Sequence, residues 1–291
     1  MIELDTISAV RAWRDARRDA GESVALVPTM GFLHEGHLRL IDRARERAAC
    51  VVISVFVNPT QFGPTEDLAT YPRDLDRDRA AATTRGADLL FLPSAAEIYP
   101  VPAAITLDPG SLADHLCGPR RPGHFAGVLL VVLKLFHIVE PDVAVFGRKD
   151  AQQAVILRRM ILDLHCRIAI DVAPTVREHD GLALSSRNVR LDPRERAAAS
   201  AIPRALQAGH EAFAAGTRSA AGVLARVRAV LDAEPGVEVE YVEAVHPDTL
   251  APTGEAEPET LLAVAARVGG TRLIDNVPLG AGLSGDIIVD S

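Results

Sequence analysis

The chain has 291 residues, 48% of them hydrophobic, and a formal net charge of −8. That length holds a large core in one or two domains, and the acidic balance argues against a nucleic-acid partner. No apolar run approaches the ~20 residues of a membrane-spanning helix, and the charged Glu3, Asp5, Arg11 and Arg14 exclude a secretory signal. Cys50, Cys117 and Cys166 are odd in number and widely spaced, which fits a cytoplasmic protein better than a disulfide framework or a zinc site.

An opening helix is expected over residues 4–18, capped by Asp5, Thr6 or Ser8. Val24 to Val27 predict a buried strand that Pro28, Thr29 and Gly31 break, and a helix runs from about Gly36 to residue 48. Residues 50–57, CVVISVFV, form the continuous β-branched run of a central parallel strand. It ends in the loop Asn58-Pro59-Thr60-Gln61-Phe62-Gly63. Residues 66–73 and 74–85 are read as helical on both sides of Pro72, 89–92 as a strand, 94–99 as a helical turn before Pro100 and Pro102, and 103–107 as an edge strand. After an irregular loop at 118–125 come a buried helix over 127–139, a strand at 142–146, an exit loop at 147–150, a helix at 152–164 and a strand at 167–172. This alternation is the pattern of a doubly wound, Rossmann-like parallel sheet. Near Pro174 the texture changes. Helices over 192–216 and 219–233, then strands at 237–245, 261–268 and 272–277, predict a smaller α+β lobe, with domains at 1–175 and 176–291.

The stretch VALVPTMGFLHEGHLRL, residues 24–40, runs from strand through turn into a helix N-terminus. Such an end carries unpaired N–H groups and a partial positive charge, which suit a phosphate. His34 and His37 share a face if the stretch is helical, and Gly36 has no side chain to block a ligand lying across the turn. A lone H-x-G-H is weak evidence, since two nearby histidines are more often surface or core residues than ligands. The strand before it and the helix after it add weight. Loops at 28–37, 58–63, 147–153 and 181–188 fall at strand ends or at the joint between the lobes. Pooled, they offer histidine, lysine, arginine, serine and side-chain amides with few acids. That set suits a nucleoside triphosphate, whose chemistry is mostly positioning and neutralisation of charge. Neither G-x-x-x-x-G-K-[ST] nor a G-x-G-x-x-G after a strand occurs.

Of 31 Lys and Arg residues only Lys134 and Lys149 are lysine. Nucleotide bias is the bland cause, yet a lysine in such a chain marks a place where a compact ammonium is useful. Lys134, in LLVVLKLFHIV, is read as a structural lysine with its stem along apolar surface. His124 is read either as a pocket residue or as a loop-stabilising one.

An H-x-G-H followed about 150 residues later by Ser185-Ser186-Arg187-Asn188 resembles the nucleotidylyltransferases and class I aminoacyl-tRNA synthetases, which direct attack on the α-phosphate of ATP. Longer stretches narrow this. PTMGFLHEGHL, SVFVNPTQFGPTEDLATYPR, RRPGHFAGVLLVVLKLFHIVEPDVAVFGRKDAQQ and REHDGLALSSRNVRL occur in that order. With them the chain closely resembles the pantothenate synthetase family, the pantoate–β-alanine ligases. The likeness covers nearly all of the N-terminal lobe and is looser beyond it, ending in TRLIDNVPL.

The resemblance implies a cytoplasmic homodimer that condenses pantoate with β-alanine through a pantoyl adenylate, uses ATP and Mg2+, and releases AMP and pyrophosphate. It implies an ATP- and pantoate-binding domain at 1–175 and a lid at 176–291. His34 and His37 would contact the ATP phosphates and steady the departing pyrophosphate, beside Met30 and Gly36. Lys149 would reach the phosphates, Asp150 and Gly147 the ribose, and Val176 the adenine. Ser185, Ser186 and Arg187 would form a mobile loop closing on the phosphates, with Leu184 also at the ATP. Gln61 and Gln153 would bind the hydroxyl and carboxylate of pantoate, with Pro28 and Thr29 nearby and Met30 on its methyls. Asp78 is a weak magnesium candidate, set against a solvated helix face. Leu184 stands where the family usually has Met, Ala151 where Tyr is frequent, and Arg148 where Glu or Lys is common, at a position expected to face solvent. The nearest rival is an adenylyltransferase with a phosphorylated substrate, and the two glutamines with Met30 favour a small hydroxy acid over it. A tRNA-binding module is a rival from another class, disfavoured by the acidic balance.

Overall fold

A computed structural model describes residues 1–64, 66–101 and 103–289. Thr65, within one of the family-like stretches, and Pro102, read as a break after a helical turn, lie outside the described residues. The chain divides into two compact units. The first comprises Met1–Pro109, Arg121–Gly147 and Ile156–Ala173, the second Gly110–Arg120, Arg148–Val155 and Pro174–Ser291.

The first unit is built on a six-stranded, all-parallel sheet. Its elements are β1 (Ile2–Leu4), α1 (Ile7–Asp19), β2 (Val24–Thr29), α2 (Glu35–Arg45), β3 (Cys50–Val55), α3 (Leu75–Thr84), β4 (Leu89–Phe91), α4 (Ala95–Ile98), α5 (His124–Val139), β5 (Val143–Gly147), the later part of α6 (Ala151–Asp163), and β6 (Ala169–Ala173). The strand order is β1-β4-β3-β2-β5-β6. The order reverses between β2 and β5, and that switch point is where open α/β sheets take ligands, at the carboxyl ends of the strands. These two strands pair only at Ala25↔Val143 and Leu26↔Ala144, so they part before their ends. This explains why β2 runs on through Pro28 rather than stopping there. Pro28 pairs with Ser54 of β3 and lies beyond the last β5 pair, where its missing N–H costs no ladder bond. The central strands are mostly apolar because both faces are covered. One face packs Ala25, Val27, Val51 and Ile53 against Leu40, Ile41 and Ala44 of α2.

Other elements depart from the sequence reading. Residues 66–70 form a bend and turns and 71–73 no regular structure, since Pro72 disfavours a helical Tyr71. Residues 103–107 pair with no strand among the described residues, and the sheet edge is taken by β1, too short to show a pattern. Thr6 is the N-cap of α1, its hydroxyl accepting from the Ala9 N–H at 3.4 Å. Among the described residues no helix is long and apolar enough to cross a membrane.

The second unit holds β7 (Val176–Glu178), α7 (Pro193–Ala199), α8 (Ala201–Ala214), α9 (Ala220–Asp232), β8 (Val237–Val245), β9 (Leu261–Val268), β10 (Thr271–Pro278) and β11 (Ile287–Val289). A three-stranded antiparallel sheet, β10-β9-β8, buries Leu262, Val264 and Val268 against Ile202, Leu206, Val223 and Val227 of α8 and α9. Parallel β7 and β11 form a second, small sheet. The helix expected over 192–216 is two helices. Asp192 and Glu195 form a capping box with Pro193 in the first turn of α7. Pro203 then cannot donate to the Ala199 carbonyl, and the chain breaks at Ser200.

Candidate active site

In the first unit, β2 delivers its chain into a turn at 30–33 and then into α2, with His34 as N-cap residue. The two imidazoles lie with ring centroids 4.0 Å apart. The His34 N–H donates to Nδ1 of His37 at 3.3 Å. Because that nitrogen accepts, a neutral His37 carries its proton on Nε2, as a donor. The first turn of α2 therefore offers an imidazole donor where the helix's orphan N–H groups and dipole already favour an anion.

The turn before it is held by Asp78 of α3, 2% exposed. Its oxygens accept from the Phe32 N–H at 2.8 Å and the Leu33 N–H at 2.6 Å. Burial pushes the Asp78 carboxyl above its ordinary value, while the Leu33 and Phe32 N–H groups pull the other way. The solvated helix face weighed from sequence is not what the structure has: Asp78 points inward and buttresses the turn. Gly31 is required there. Its φ is +83°, and a Cβ would come within 2.9 Å of both Asp78 Oδ2 and Val55 Cγ1. Thr29 Oγ1 donates to the Ser54 carbonyl at 2.8 Å and accepts from the Gly31 N–H at 3.2 Å.

Gln61 closes a 3₁₀ turn over Pro59–Gln61. Its Nε2 lies 3.2 Å from Sδ of Met30, and its Oε1 accepts from Asn58 Nδ2 at 3.1 Å. Asn58, 1% exposed, has a role the sequence reading missed. It also donates to the Gly127 carbonyl, while its Oδ1 accepts from the Tyr99 hydroxyl at 2.9 Å and the Thr60 N–H. Its signal was available, because Asn before Pro is a helix-start pattern. Gly127 lets α5 reach this turn, since a Cβ there would sit 2.3 Å from the Thr60 carbonyl oxygen. His124 Nδ1 meets the Gln61 carbonyl at 2.8 Å, which favours the loop-stabilising reading. Lys134 is structural, as expected. Its ammonium donates to the Ile98 carbonyl at 2.8 Å and lies 4.8 Å from the Tyr99 ring centroid.

In the second unit, Lys149 and Asp150 sit in the 3₁₀ turn Arg148–Asp150 that opens α6. The Lys149 ammonium has no partner among the described residues. Gln153 is half-buried in the first turn of α6, and the adjacent Gln152 is buried. Gln152 Oε1 accepts from the Cys117 N–H, and its Nε2 donates to the Leu112 and His115 carbonyls, each at 2.9 Å. Arg148 does not face solvent: it pairs with buried Asp286.

Val176 and Leu184 are joined directly, the Leu184 N–H donating to the Val176 carbonyl at 2.9 Å. The chain turns between them at Gly181, where Arg177 bridges Ala183. Ser185, Ser186 and Arg187 follow this hairpin. The Arg187 N–H donates to Ser185 Oγ at 3.2 Å, and Asn188 Nδ2 ties the loop to Glu178 and the Ala183 carbonyl. Arg177 is 0% exposed and grips Asp275 with two bonds of 2.6 and 2.9 Å, Asp286 at 2.5 Å and the Gly181 carbonyl at 3.0 Å. Burial pushes the Asp275 carboxyl up, with Arg177 acting against it. Sequence reading missed this network, whose members lie about a hundred residues apart.

A model of the pantoate-beta-alanine ligase family matches residues 3–278. The chain belongs to that family. It is 50% identical over 280 residues to the pantothenate synthetase of Pelotomaculum thermopropionicum, covering 96% of this chain and 99% of the relative. It is 51% identical over 276 residues to that of Moorella thermoacetica, covering 95% and 98%. The pantothenate synthetase of Thermus thermophilus superposes with a TM-score of 0.91 at 45% identity, covering 96% of this chain and 99% of that one. A pantoate-beta-alanine ligase from Francisella tularensis, solved with beta-gamma ATP and beta-alanine, gives 0.78 at 31% identity, covering 96% and 98%. The family membership sets aside both rival readings. The chain is an ATP-dependent enzyme that ligates pantoate to β-alanine, through the adenylate intermediate of its family.

Proposed function

We propose that this ligase makes pantothenate in two steps, with His34, His37, Lys149, Ser185, Ser186 and Arg187 serving the phosphates of ATP. The observation that carries the reading is the turn after β2. It carries two close imidazoles at a helix N-terminus, at the carboxyl end of a strand in a parallel sheet, the kind of edge at which such sheets take ligands. In the first step a pantoate carboxylate oxygen attacks the α-phosphorus, and the bond to the bridging oxygen of pyrophosphate breaks. Charge builds on that leaving group, where imidazole donors, backbone N–H groups and an ammonium act most strongly. A carboxylate needs no base. In the second step the amine of β-alanine attacks the acyl carbon and AMP leaves. The adenylate is a mixed anhydride, and the loop of Ser185, Ser186 and Arg187 is assigned to keep water from it.

Gln61 and Gln153 are assigned to pantoate, with Pro28, Thr29 and Met30 lining its place. Asp150 and Gly147 are assigned to the ribose, Val176, Gly36 and Leu184 to the rest of the nucleotide. Magnesium is proposed to enter with ATP. Among the described residues no group of three or more His, Cys, Asp or Glu side chains is placed to hold a metal, and both oxygens of Asp78 already serve backbone N–H groups. An ion held by phosphate oxygens and water fits that donor set, and magnesium commonly binds so. A homodimer in the cytoplasm is part of the same proposal, supported by the family resemblance and by three free cysteines. The test is product analysis with ATP, pantoate and β-alanine. Pantothenate and AMP should appear in equal amounts, and ADP with phosphate would exclude the mechanism.

A further inference from the structure

Lys149 sits in a short 3₁₀ turn, and its ammonium has no partner among the described residues, so nothing at the tip of the side chain fixes where the charge lies. The control is on its backbone. Asn276 of β10, 3% exposed, points its amide at this turn. Its Nδ2 donates to the Lys149 carbonyl at 2.8 Å and to the Arg148 carbonyl at 3.1 Å. Both hydrogens of one amide are thus spent on two successive peptides. Its Oδ1 has no hydrogen-bond partner among the described residues. A buried amide with an idle oxygen is unfavourable, and a residue kept for packing alone would be apolar. The cost is offset only if the two donated bonds matter.

The anchor behind Asn276 is firm. Its own N–H donates to Asp275 Oδ1 at 2.8 Å, and Asp275 is gripped by Arg177. Arg177 also holds Asp286, which pairs with the Arg148 side chain. The residue before Lys149 is therefore held by both side chain and carbonyl. Asn276 itself is registered in the antiparallel sheet opposite Ala263.

We infer that Asn276 is a positioning residue for Lys149: it fixes the backbone from which the lysine reaches the nucleotide, and touches no substrate itself. This rests on the reading of Lys149 as a phosphate contact. A long, free side chain gives a usable charge only if its root is fixed, and displacing a catalytic group by roughly 1 Å can cost about a hundredfold in rate.

The test is a four-corner cycle, comprising the parent, Asn276→Ala, Lys149→Ala and the double variant. The rate of adenylate formation is read in single turnover with ATP and pantoate, without β-alanine. Thermal unfolding of each protein reports stability separately. Asn276→Ala should slow the step up to about a hundredfold while leaving the KM for pantoate within about twofold of the parent. On the Lys149→Ala background the same change should slow it by no more than about twofold. If Asn276→Ala costs the same factor on both backgrounds, its role is general structure and the proposal is overturned. A parental rate for Asn276→Ala overturns it as well. A parental rate for Lys149→Ala would instead remove the Lys149 reading on which the proposal stands, so the two failures are distinguishable. Should Asn276→Ala not fold, Asn276→Ser, which keeps one donor, takes its corner of the cycle with the same expectations at smaller size.

Discussion

The turn between β2 and α2 and the turn that carries Lys149 are prepared in opposite ways. The first is made mainly by neighbours in the chain, namely a strand end, Gly31 at positive φ and a helix start, with one carboxylate from α3, Asp78, accepting two backbone N–H groups. The second is held by side chains from the far end of the sequence, with Asn276 on its carbonyls and Asp286 on Arg148. Backbone N–H groups at a helix end are rigid and need only the correct turn to point outward. A lysine on a four-carbon stem needs its root fixed from outside. Buried ions do that work in the second unit, and they specify geometry at the risk of large losses when one partner goes.

Arg177→Met should break this arrangement most severely. It leaves Asp275 buried without a guanidinium and Asp286 with Arg148 alone, and the expected loss is about 3–5 kcal/mol in urea unfolding. A loss under about 1 kcal/mol would mean the network is not what holds the second turn.

His34→Ala and His37→Ala probe the first turn, where the effect should fall on rate rather than fold. Each should slow adenylate formation by about 10²–10³, or roughly 3 kcal/mol, as loss of a preorganised charge-stabilising donor does. Unfolding midpoints should stay near the parent's, and a normal single-turnover rate in both variants would remove the histidines from the phosphate site.

Lys149→Arg keeps the charge and widens its head. Guanidinium prefers a fixed fork, whereas ammonium is a compact point with rotatable donors. The variant should fold and bind ATP within about tenfold, yet lose roughly 2 kcal/mol in the rate of the first step. Parental turnover would reduce the lysine to simple charge.

The smallest effect is expected at the half-exposed rim. Burial raises the Asp180 carboxyl, but the Arg196 guanidinium and the Leu182 N–H bonded to it outweigh that, and its pKa lies below the ordinary value. A depressed carboxylate stabilises the fold above its unfolded pKa, and that contribution is lost as pH falls through the folded value. Asp180→Asn should therefore cost under about 1 kcal/mol at neutral pH, and the gap should close below about pH 4. Urea unfolding at several pH values reads this. A gap that widens in acid would reverse the assignment.

This contrast also decides what can be read from the sequence. The apolar runs of β2, β3 and β5 and the Gly-containing turn between β2 and α2 are contiguous, and with them the parallel sheet and the histidine pair are legible. The strands β1, β7 and β11 have three residues each and show no period. Arg177 reads as one arginine among many, because its partners Asp275 and Asp286 lie 98 and 109 residues away. Nothing in a lone charged residue says whether it faces water or a buried counter-ion. For that reason Arg148 reads as solvent-facing and is found on Asp286.

The most direct measurement is exchange of labelled pyrophosphate into ATP, with pantoate present and β-alanine withheld. The first step is reversible and needs only ATP and pantoate, so label should enter ATP. It should stop when pantoate is omitted and fall in the His34→Ala, His37→Ala and Lys149→Arg proteins. Exchange that requires β-alanine, or that proceeds without pantoate, would contradict a pantoyl adenylate formed by these residues.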